Sequence, residues 1–416
     1  LDDVIVVGAG PAGNCAALGL ASQGLSVTVI DGRHVIGDKL CTGIVGGECT
    51  RRFPIDPALV YHQASAAQVM APQGGALRFE ATAPQASVVD RVEYVNSFAR
   101  QAQAVGARYY LGHRVVQAQV DPDGVTVVTG EGCYRARCLV LAAGFGSPLV
   151  RQLGLGSVPD YVIGAQAMVS TVEVNEVEVH LGQQVAPGFF SWLVPTRPGQ
   201  ALVGLMARRQ AAERLTGFIQ SLSQQGKVAA VERAPACWGV PLRPLKRTYA
   251  DRVVVVGDAA GQVKPITGGG IYYSLMAGDL AASVVGQALA EDDLSPVRLS
   301  QYQDRWQALL ATELDVGYWA RRLYELLNDQ QIGFLLRSAA GGGSHGLRAQ
   351  LADGGVSFDW HSRVLSRLVG HPALSGALHL LSPLLCRLTP QPDEVGAATR
   401  AVVGRSFPDQ VAHGAD

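Results

Sequence analysis

The first thirty-one residues constrain the fold more than any other stretch. Val4-Ile5-Val6-Val7 is an apolar run, Gly8-Ala9-Gly10-Pro11-Ala12-Gly13 is a glycine-rich turn, and a helical pattern leads on to Ser26-Val27-Thr28-Val29-Ile30-Asp31. This order predicts strand, turn, helix and strand, the opening unit of a doubly wound α/β domain. Gly8 suits the tight turn, Gly10 lets a pyrophosphate approach the backbone, and Gly13 allows the helix to pack closely. The free N–H groups and positive dipole end of the helix then hold the phosphates. Asp31, eighteen residues past Gly13, stands where a carboxylate can accept the hydroxyls of an adenosine ribose.

A chain of 416 residues exceeds one ordinary domain, and its 48% hydrophobic content supports a large core without disulfides. The formal net charge of -1, with no basic stripe, excludes nucleic acid as a partner class. The seven cysteines (15, 41, 49, 133, 138, 237 and 386) form no C-x-x-C pair, and no His cluster has zinc spacing, so no metal site is expected. Reduced thiols and the absence of a signal-like stretch before the first strand point to a cytoplasmic protein. The apolar stretches 271–290 and 372–386 are interrupted by Asp279 and Pro383, so neither reads as a membrane span.

Residues 32–47 lack periodicity and form a long loop containing Lys39-Leu40-Cys41-Thr42-Gly43. Short alternating runs over 64–89 suggest a small sheet excursion. A helix starts at Asp90-Arg91, with Val92, Val95, Phe98, Ala102 and Val105 on one side. Residues 115–120 and 125–128 form a hairpin about Pro122-Asp123-Gly124, and 139–144 form a buried strand. Residues from about 164 to 240 are expected to form strands, including 172–181, 189–194 and 201–206, interrupted by a helix over 211–225. Residues 252–258 return as an apolar strand, and the pattern is helical from Ile271, with a Gly341-Gly342-Gly343-Ser344 break. The expected plan is a Rossmann-type nucleotide-binding domain (1–63, 90–160 and 249–290). An antiparallel-sheet substrate domain (64–89 and 161–248) and a helical C-terminal region (291–416) complete it.

Gly257-Asp258-Ala259-Ala260-Gly261, followed by Pro265 and Thr267-Gly268-Gly269-Gly270-Ile271, is a second glycine turn opening a long helix. Asp258 can bond a ribityl hydroxyl. The N–H groups of Gly269, Gly270 and Ile271 can face a pyrimidine carbonyl and stabilise a reduced flavin. The two glycine segments resemble the FAD-dependent fold shared by aromatic hydroxylases, flavin halogenases and geranylgeranyl reductases. Three further features look most like the geranylgeranyl reductase branch. They are Lys39-x-Cys41-x-Gly43, the Pro187-Gly188-Phe189-Phe190-Ser191-Trp192-Leu193-Val194-Pro195 strand, and Asp258 with Pro265 and Gly268-Gly269-Gly270-Ile271. The resemblance covers residues 1–290, and Phe190, Thr42 and Val194 depart from that branch's usual residues.

The resemblance implies FAD contacts at Ala12, Asp31, Cys41, Thr42, Ile44, Arg91, Val115, Asp258, Gly270 and Ile271. It also implies saturation of double bonds in an isoprenoid lipid, with electrons from NADPH or a small redox protein. Phe190 and Trp192 lie two apart on a strand and share a side. They are either a wall opposite the flavin, where Trp192 could stabilise cationic character, or ordinary core aromatics. Tyr272 lines the same tunnel or packs in its helix. Cys41 is a candidate proton donor or a small residue shaping its loop, and Lys39 a phosphate partner or a solvated lysine. Residues 360–369 set Trp360, Val364, Leu365, Leu368 and Val369 against Arg363 and Arg367, a pattern suited to peripheral membrane contact or to core packing. A flavin monooxygenase or halogenase of the same fold is one alternative, and a non-catalytic flavin- and lipid-binding protein is another.

Overall fold

The computed structural model describes residues 1–39, 41–340 and 357–362, with side chains to residue 337 in the long C-terminal helix stretch. Its first sheet has eight strands built on a parallel core. Asp2–Val7 lies between Val27–Asp31 and Gly132–Leu141; Arg108–Leu111 extends one side, and Val253–Val255 with Tyr249–Ala250 the other. Leu139, Val140 and Leu141 are completely buried, as parallel strands covered on both faces must be. Each such side chain contributes about 1.5–3 kcal/mol. Helix Pro11–Ala21 packs against Ile271–Ala290 and Arg91–Ala104 on one face of this sheet. The protein is thus an α/β fold with a Rossmann-type nucleotide-binding unit.

The second sheet has seven strands. Its order is Val228–Pro241, Tyr161–Thr171, Gln200–Ala207, Phe190–Pro195, Val177–Leu181, Ala66–Met70 and Ala76–Glu80. All its pairings are antiparallel except Val177–Leu181 with Ala66–Met70. Helix Ala211–Gln224 covers part of one face. A three-stranded sheet (Ile44–Gly46, Ala86–Val89, Val60–Ala64) stands between the loop after Asp31 and helix Arg91–Ala104.

Several sequence expectations shift. The strand expected over 172–181 is confined to Val177–Leu181, because Glu173 takes a positive φ of 54° and Arg78 and Gln68 hold Glu176 in the turn. Apolar alternation at 172–176 imitates a strand there, yet Val172 is exposed. The fourteen-residue strand Val228–Pro241 closes the stretch to Val240 that is expected to carry strands. It tolerates Pro235 because it is an edge strand with largely exposed side chains. Helix Arg91–Ala104 buries Arg91, Tyr94 and Ala99 beside Val95, Phe98 and Ala102, while Val105 is exposed at its C-cap. Arg91 and Tyr94 are inward because they serve loops rather than the apolar stripe. The 115–120 and 125–128 hairpin is Gln117–Asp121 and Gly124–Thr129, continuing into Gly132–Leu141 as a meander.

Candidate functional site

Two glycine turns meet at the C-terminal end of the parallel strands. Gly8 has φ +109°, and a Cβ there would overlap the Ala142 carbonyl at the end of the adjacent strand. Gly13 lies so close to its own loop that a Cβ would overlap the Gly8 carbonyl oxygen. Gly10 has nothing within 4 Å of the same position, so the loop is open on that side. Helix Pro11–Ala21 begins there without a side-chain cap and without an acidic residue in its first turn. Its first-turn N–H groups, Ala12 among them, are therefore left for an anion. Asp31 closes the same end, where Ala9 N–H donates to Oδ2 (2.7 Å) and Arg33 N–H to Oδ1 (2.8 Å). Val115 packs against the cluster of Ile5, Val7 and Ile30. Neighbouring Arg114 abuts Gly32, which places this segment beside Asp31.

The second turn starts at Gly257–Ala259 and ends at helix Ile271–Ala290, which also lacks a side-chain cap. Gly268 N–H donates to the Lys264 carbonyl (2.9 Å), and Lys264 N–H to that of Gly269 (3.2 Å). The Gly269 N–H donates to Thr267 Oγ1 (3.4 Å). Among the described residues no acceptor is found for the N–H groups of Gly270 and Ile271. Asp258 sits beside Gly270, where a Cβ would lie 2.9 Å from Oδ1. Lys39 forms an ion pair with Asp258, so it ties the first loop to the second turn instead of standing in solvent.

Arg91 is buried and donates from Nη1 to the carbonyls of Gly37 and Lys39 (2.7 Å to the latter). The guanidinium therefore shapes the Lys39-to-Gly43 loop. Its Nε is buried with no hydrogen-bond partner. Asp90 caps the helix beneath it, accepting from Glu93 N–H (3.1 Å). Cys41 is partly buried, and Gly43 N–H points at its Sγ (3.5 Å). Ile44 begins the three-stranded sheet.

Gln166, absent from the sequence-based candidates, joins this loop to the second sheet. Thr42 Oγ1 donates to Gln166 Oε1 (3.1 Å), and Gln166 Nε2 donates to the Cys41 carbonyl (3.3 Å). Gln166 pairs with Gly204, and Gly204 pairs with Trp192, so the three side-chain positions share one face. Gly204 is glycine because the Trp192 indole lies across it. Phe190 is on that face too, its ring centroid 5.8 Å from that of Trp192. One step along, Gly164 pairs with Trp238, whose ring lies 2.8 Å from where a Cβ would stand. Met206 extends the face to the second turn, its sulfur 2.9 Å from a Cβ placed on Gly268. Phe190, Trp192, Trp238 and Met206 thus form an apolar wall facing both the Cys41 loop and the second glycine turn. Trp192 Nε1 is buried in this wall without a partner. The period-two pattern along Val228–Pro241 is the signal that could have located Trp238.

Tyr272 does not belong to this wall. It is 6% exposed and meets Phe53 and Trp360 edge-on, at centroid distances of 6.3 and 5.8 Å. The first turn of helix Ile271–Ala290 is buried, and this position points into the aromatic cluster of the first domain. Trp360 accordingly faces protein rather than lipid, packing on Tyr272 and Tyr273 and donating to Glu48. The rest of the expected surface helix, including Arg363, Val364, Leu365, Arg367, Leu368 and Val369, lies outside the described residues, as do Leu40, Cys386 and the glycine break at 341–344. Cys133 is exposed near the turn that opens its strand, whereas Cys49 and Cys138 are buried, and burial pushes both thiols up to about 12.

These observations fit FAD. An open glycine turn and an uncapped helix suit the pyrophosphate, and Asp31 suits the ribose. Two helix N–H groups without acceptors, with the orphaned Arg91 Nε, suit the flavin end.

Comparison with known proteins decides the family. Residues 45–292 match the FAD dependent oxidoreductase family, and residues 6–63 match the NAD(P)-binding Rossmann-like domain. Digeranylgeranylglycerophospholipid reductase 2 of Methanopyrus kandleri is 31% identical over 357 residues, covering 80% of this chain and 89% of the relative. The chain belongs to the geranylgeranyl reductase family of FAD-dependent oxidoreductases. Another family member, digeranylgeranylglycerophospholipid reductase 1 of Methanococcoides burtonii, is 28% identical over 81% of this chain and 87% of its own. Among solved structures, a geranylgeranyl bacteriochlorophyll reductase-like protein from Thermoplasma acidophilum superposes with a TM-score of 0.80 at 21% identity, covering 92% of this chain and 99% of its own. A halogenase, PltM, in complex with phloroglucinol and FAD superposes at 0.67 with 15% identity, covering 96% and 94%. The FAD-binding fold is therefore shared with halogenases, while sequence likeness places the chain with the reductases.

Proposed function

We propose that this protein saturates carbon–carbon double bonds of a polyprenyl lipid. The observation that carries this reading is the wall of Phe190, Trp192, Trp238 and Met206, fastened by Gln166 to the Cys41 loop. An isolated prenyl double bond offers no charge and almost no hydrogen-bonding handle. Its binding has to come from apolar burial, about 0.8 kcal/mol per methylene. Reduced FAD, when bound, supplies a hydride to one carbon of the double bond.

The chain's own residues do the remaining work. Trp192 and Phe190 exclude water and hold the prenyl chain flat, and the indole face of Trp192 stabilises positive charge developing on the second carbon. Cys41 stands on the loop that Gln166 presses against the wall. Its sulfur accepts from Gly43 N–H, and among the described residues no acceptor is found for the thiol hydrogen. Cys41 is thus the proposed proton source for the second carbon, and the net change is addition of a hydride and a proton. Gly8, Gly10, Ala12, Gly13, Asp31 and Val115 would hold the adenosine diphosphate half. Arg91, Thr42, Ile44, Asp258, Gly270 and Ile271 would hold the flavin half. Lys39 is engaged with Asp258, which argues against a free lysine over the wall of the sort a halogenase uses. Electrons would come from NADPH or a small redox protein reaching the flavin transiently. No helix among the described residues is long and apolar enough to cross a membrane, so the enzyme would meet its lipid by peripheral contact.

Trp192→Ala tests the wall. Anaerobic reduction of a geranylgeranyl lipid should slow by about 100-fold, more than the loss of one neutral contact, while the FAD content is unchanged. Unchanged turnover would return Trp192 to the core and remove the reading's main support.

A further inference from the structure

Gln166 is an amide set among the apolar residues of the wall. Its side chain is 2% exposed, and it pairs with Gly204, across which the Trp192 indole lies, and with Ala236 of the edge strand. A leucine or methionine would fill that place at no polar cost, whereas a buried amide is unfavourable unless it is hydrogen-bonded. Both of its bonds go to one loop. Oε1 accepts from the Thr42 hydroxyl (3.1 Å), and Nε2 donates to the Cys41 carbonyl (3.3 Å). The ladder between Tyr161–Thr171 and Val228–Pro241 changes register directly after Gln166, an irregularity of the kind that re-aims a side chain beside a site.

The rest of the loop is held from the other side. Arg91 donates to the Gly37 and Lys39 carbonyls, and Lys39 pairs with Asp258. Val89 N–H donates to the Gly43 carbonyl (2.9 Å), and Gly43 takes φ +70°, where a Cβ would stand 2.7 Å from the Val89 carbonyl oxygen. The first domain and the small sheet thus fix residues 37–39 and 43. Cys41 and Thr42, at the middle, are joined to the substrate sheet through Gln166. Thr42, one of this chain's departures from the reductase branch's usual residues, supplies the hydroxyl half of that clasp. One side-chain torsion separates a cysteine's backbone from its sulfur, so the Cys41 thiol goes where its peptide is held.

We infer that Gln166, acting through Thr42 and the Cys41 carbonyl, is the positioning residue for protonation of the double bond. The inference rests on the proposed reductase activity with Cys41 as proton source, and adds to it the group that aims the thiol. With the hydride delivered to the first carbon, the Cys41 S–H bond breaks and a C–H bond forms at the second. The electron pair of the broken bond stays on sulfur, where Gly43 N–H (3.5 Å) stabilises the thiolate until it regains a proton from solvent. Proton transfer needs hydrogen-bond reach, and a displacement of about 1 Å slows such a step by up to about 100-fold while leaving binding intact.

A double-mutant cycle on the dithionite-reduced holoprotein tests this, with anaerobic reoxidation of the flavin by a geranylgeranyl lipid as the rate measured. Gln166→Met keeps the volume and removes both bonds. It should slow reoxidation by about 30-fold with Cys41 present, and by less than about twofold in the Cys41→Ala background. FAD content and the half-saturating lipid concentration should stay at wild-type values, and the solvent deuterium isotope effect should rise because proton transfer then limits the rate. Thr42→Val, a near-isosteric loss of one bond, should slow reoxidation by about fivefold, and keeps the test sound if the Gln166 variant does not fold. Gln166→Glu should work at low pH, where the protonated acid donates to the Cys41 carbonyl, and lose activity as rising pH removes that proton. Equal slowing with and without Cys41, or an unchanged isotope effect in Gln166→Met, would assign Gln166 to support of the wall. Either result would overturn the inference and leave the reductase reading intact. A wild-type flavin that the lipid does not reoxidise at all would overturn the two together.

Discussion

Gly13→Val should yield a protein that purifies nearly colourless, with FAD retention reduced by about 100-fold or more. The reason is steric and local. A Cβ on Gly13 would overlap the Gly8 carbonyl oxygen and also crowd Ala142 Cβ at 3.1 Å. Neither neighbour can yield easily, because the backbone of each is held: Gly8 N–H donates to the Ile30 carbonyl (2.8 Å) and Ala142 N–H to that of Val7 (2.8 Å). Overpacking of this kind costs about 1–3 kcal/mol in stability. The larger loss is functional, since the helix start and Ala9 must shift from the positions that serve the pyrophosphate and Asp31. The ratio of flavin to protein absorbance reads the effect, and far-UV circular dichroism checks that the fold survives. Normal flavin content in a folded variant would contradict the assignment of this turn to the cofactor.

Asp359→Ala should be the most destabilising single exchange outside the glycine turns, by about 3–5 kcal/mol. Asp359 is 1% exposed and accepts from Glu48 and Cys49 N–H (2.9 and 3.0 Å) and from Lys264 Nζ (3.1 Å). Lys264 is itself 3% exposed, and burial pulls its ammonium below the usual lysine range despite the carboxylate beside it. Removing Asp359 strands that ammonium beneath the turn whose Gly268 and Gly269 bond to the Lys264 backbone. The apparent melting temperature of the holoprotein should fall by about 5–10 °C. Lys264→Met combined with Asp359→Leu should recover most of the loss, because well-packed apolar residues replace a buried pair at little cost. A melting temperature unchanged in Asp359→Ala would show that the 357–362 segment does not support the turn.

The legible parts of the molecule were those written in local spacing. Gly8, Gly10, Gly13 and Asp31 announce themselves because a turn, a helix start and a strand end follow one another within one unit. The Asp258-to-Ile271 turn is equally local. The Lys39–Asp258 pair, the Thr42–Gln166–Cys41 bonds and the Lys264–Asp359 pair span 95 to 219 residues of sequence, and no periodicity encodes such partners. The sequence leaves Tyr272 open between tunnel and helix packing, and Trp360 between lipid and core, for a related reason. An amphipathic aromatic carries the same letter whether it faces lipid, ligand or another ring. Trp238 escaped notice because its strand is largely exposed, rich in alanine and interrupted by Pro235, so little inward-facing alternation marks the indole.

The central claim is that the two glycine turns present one FAD to an apolar wall that holds a prenyl chain. Mass spectrometry of a geranylgeranyl lipid after anaerobic incubation with the dithionite-reduced holoprotein tests it most directly. The account predicts a gain of two mass units for each double bond saturated, with matching reoxidation of the flavin and no requirement for oxygen. A lipid recovered unchanged while the flavin stays reduced would contradict it, as would a product that forms only in air and gains the mass of oxygen.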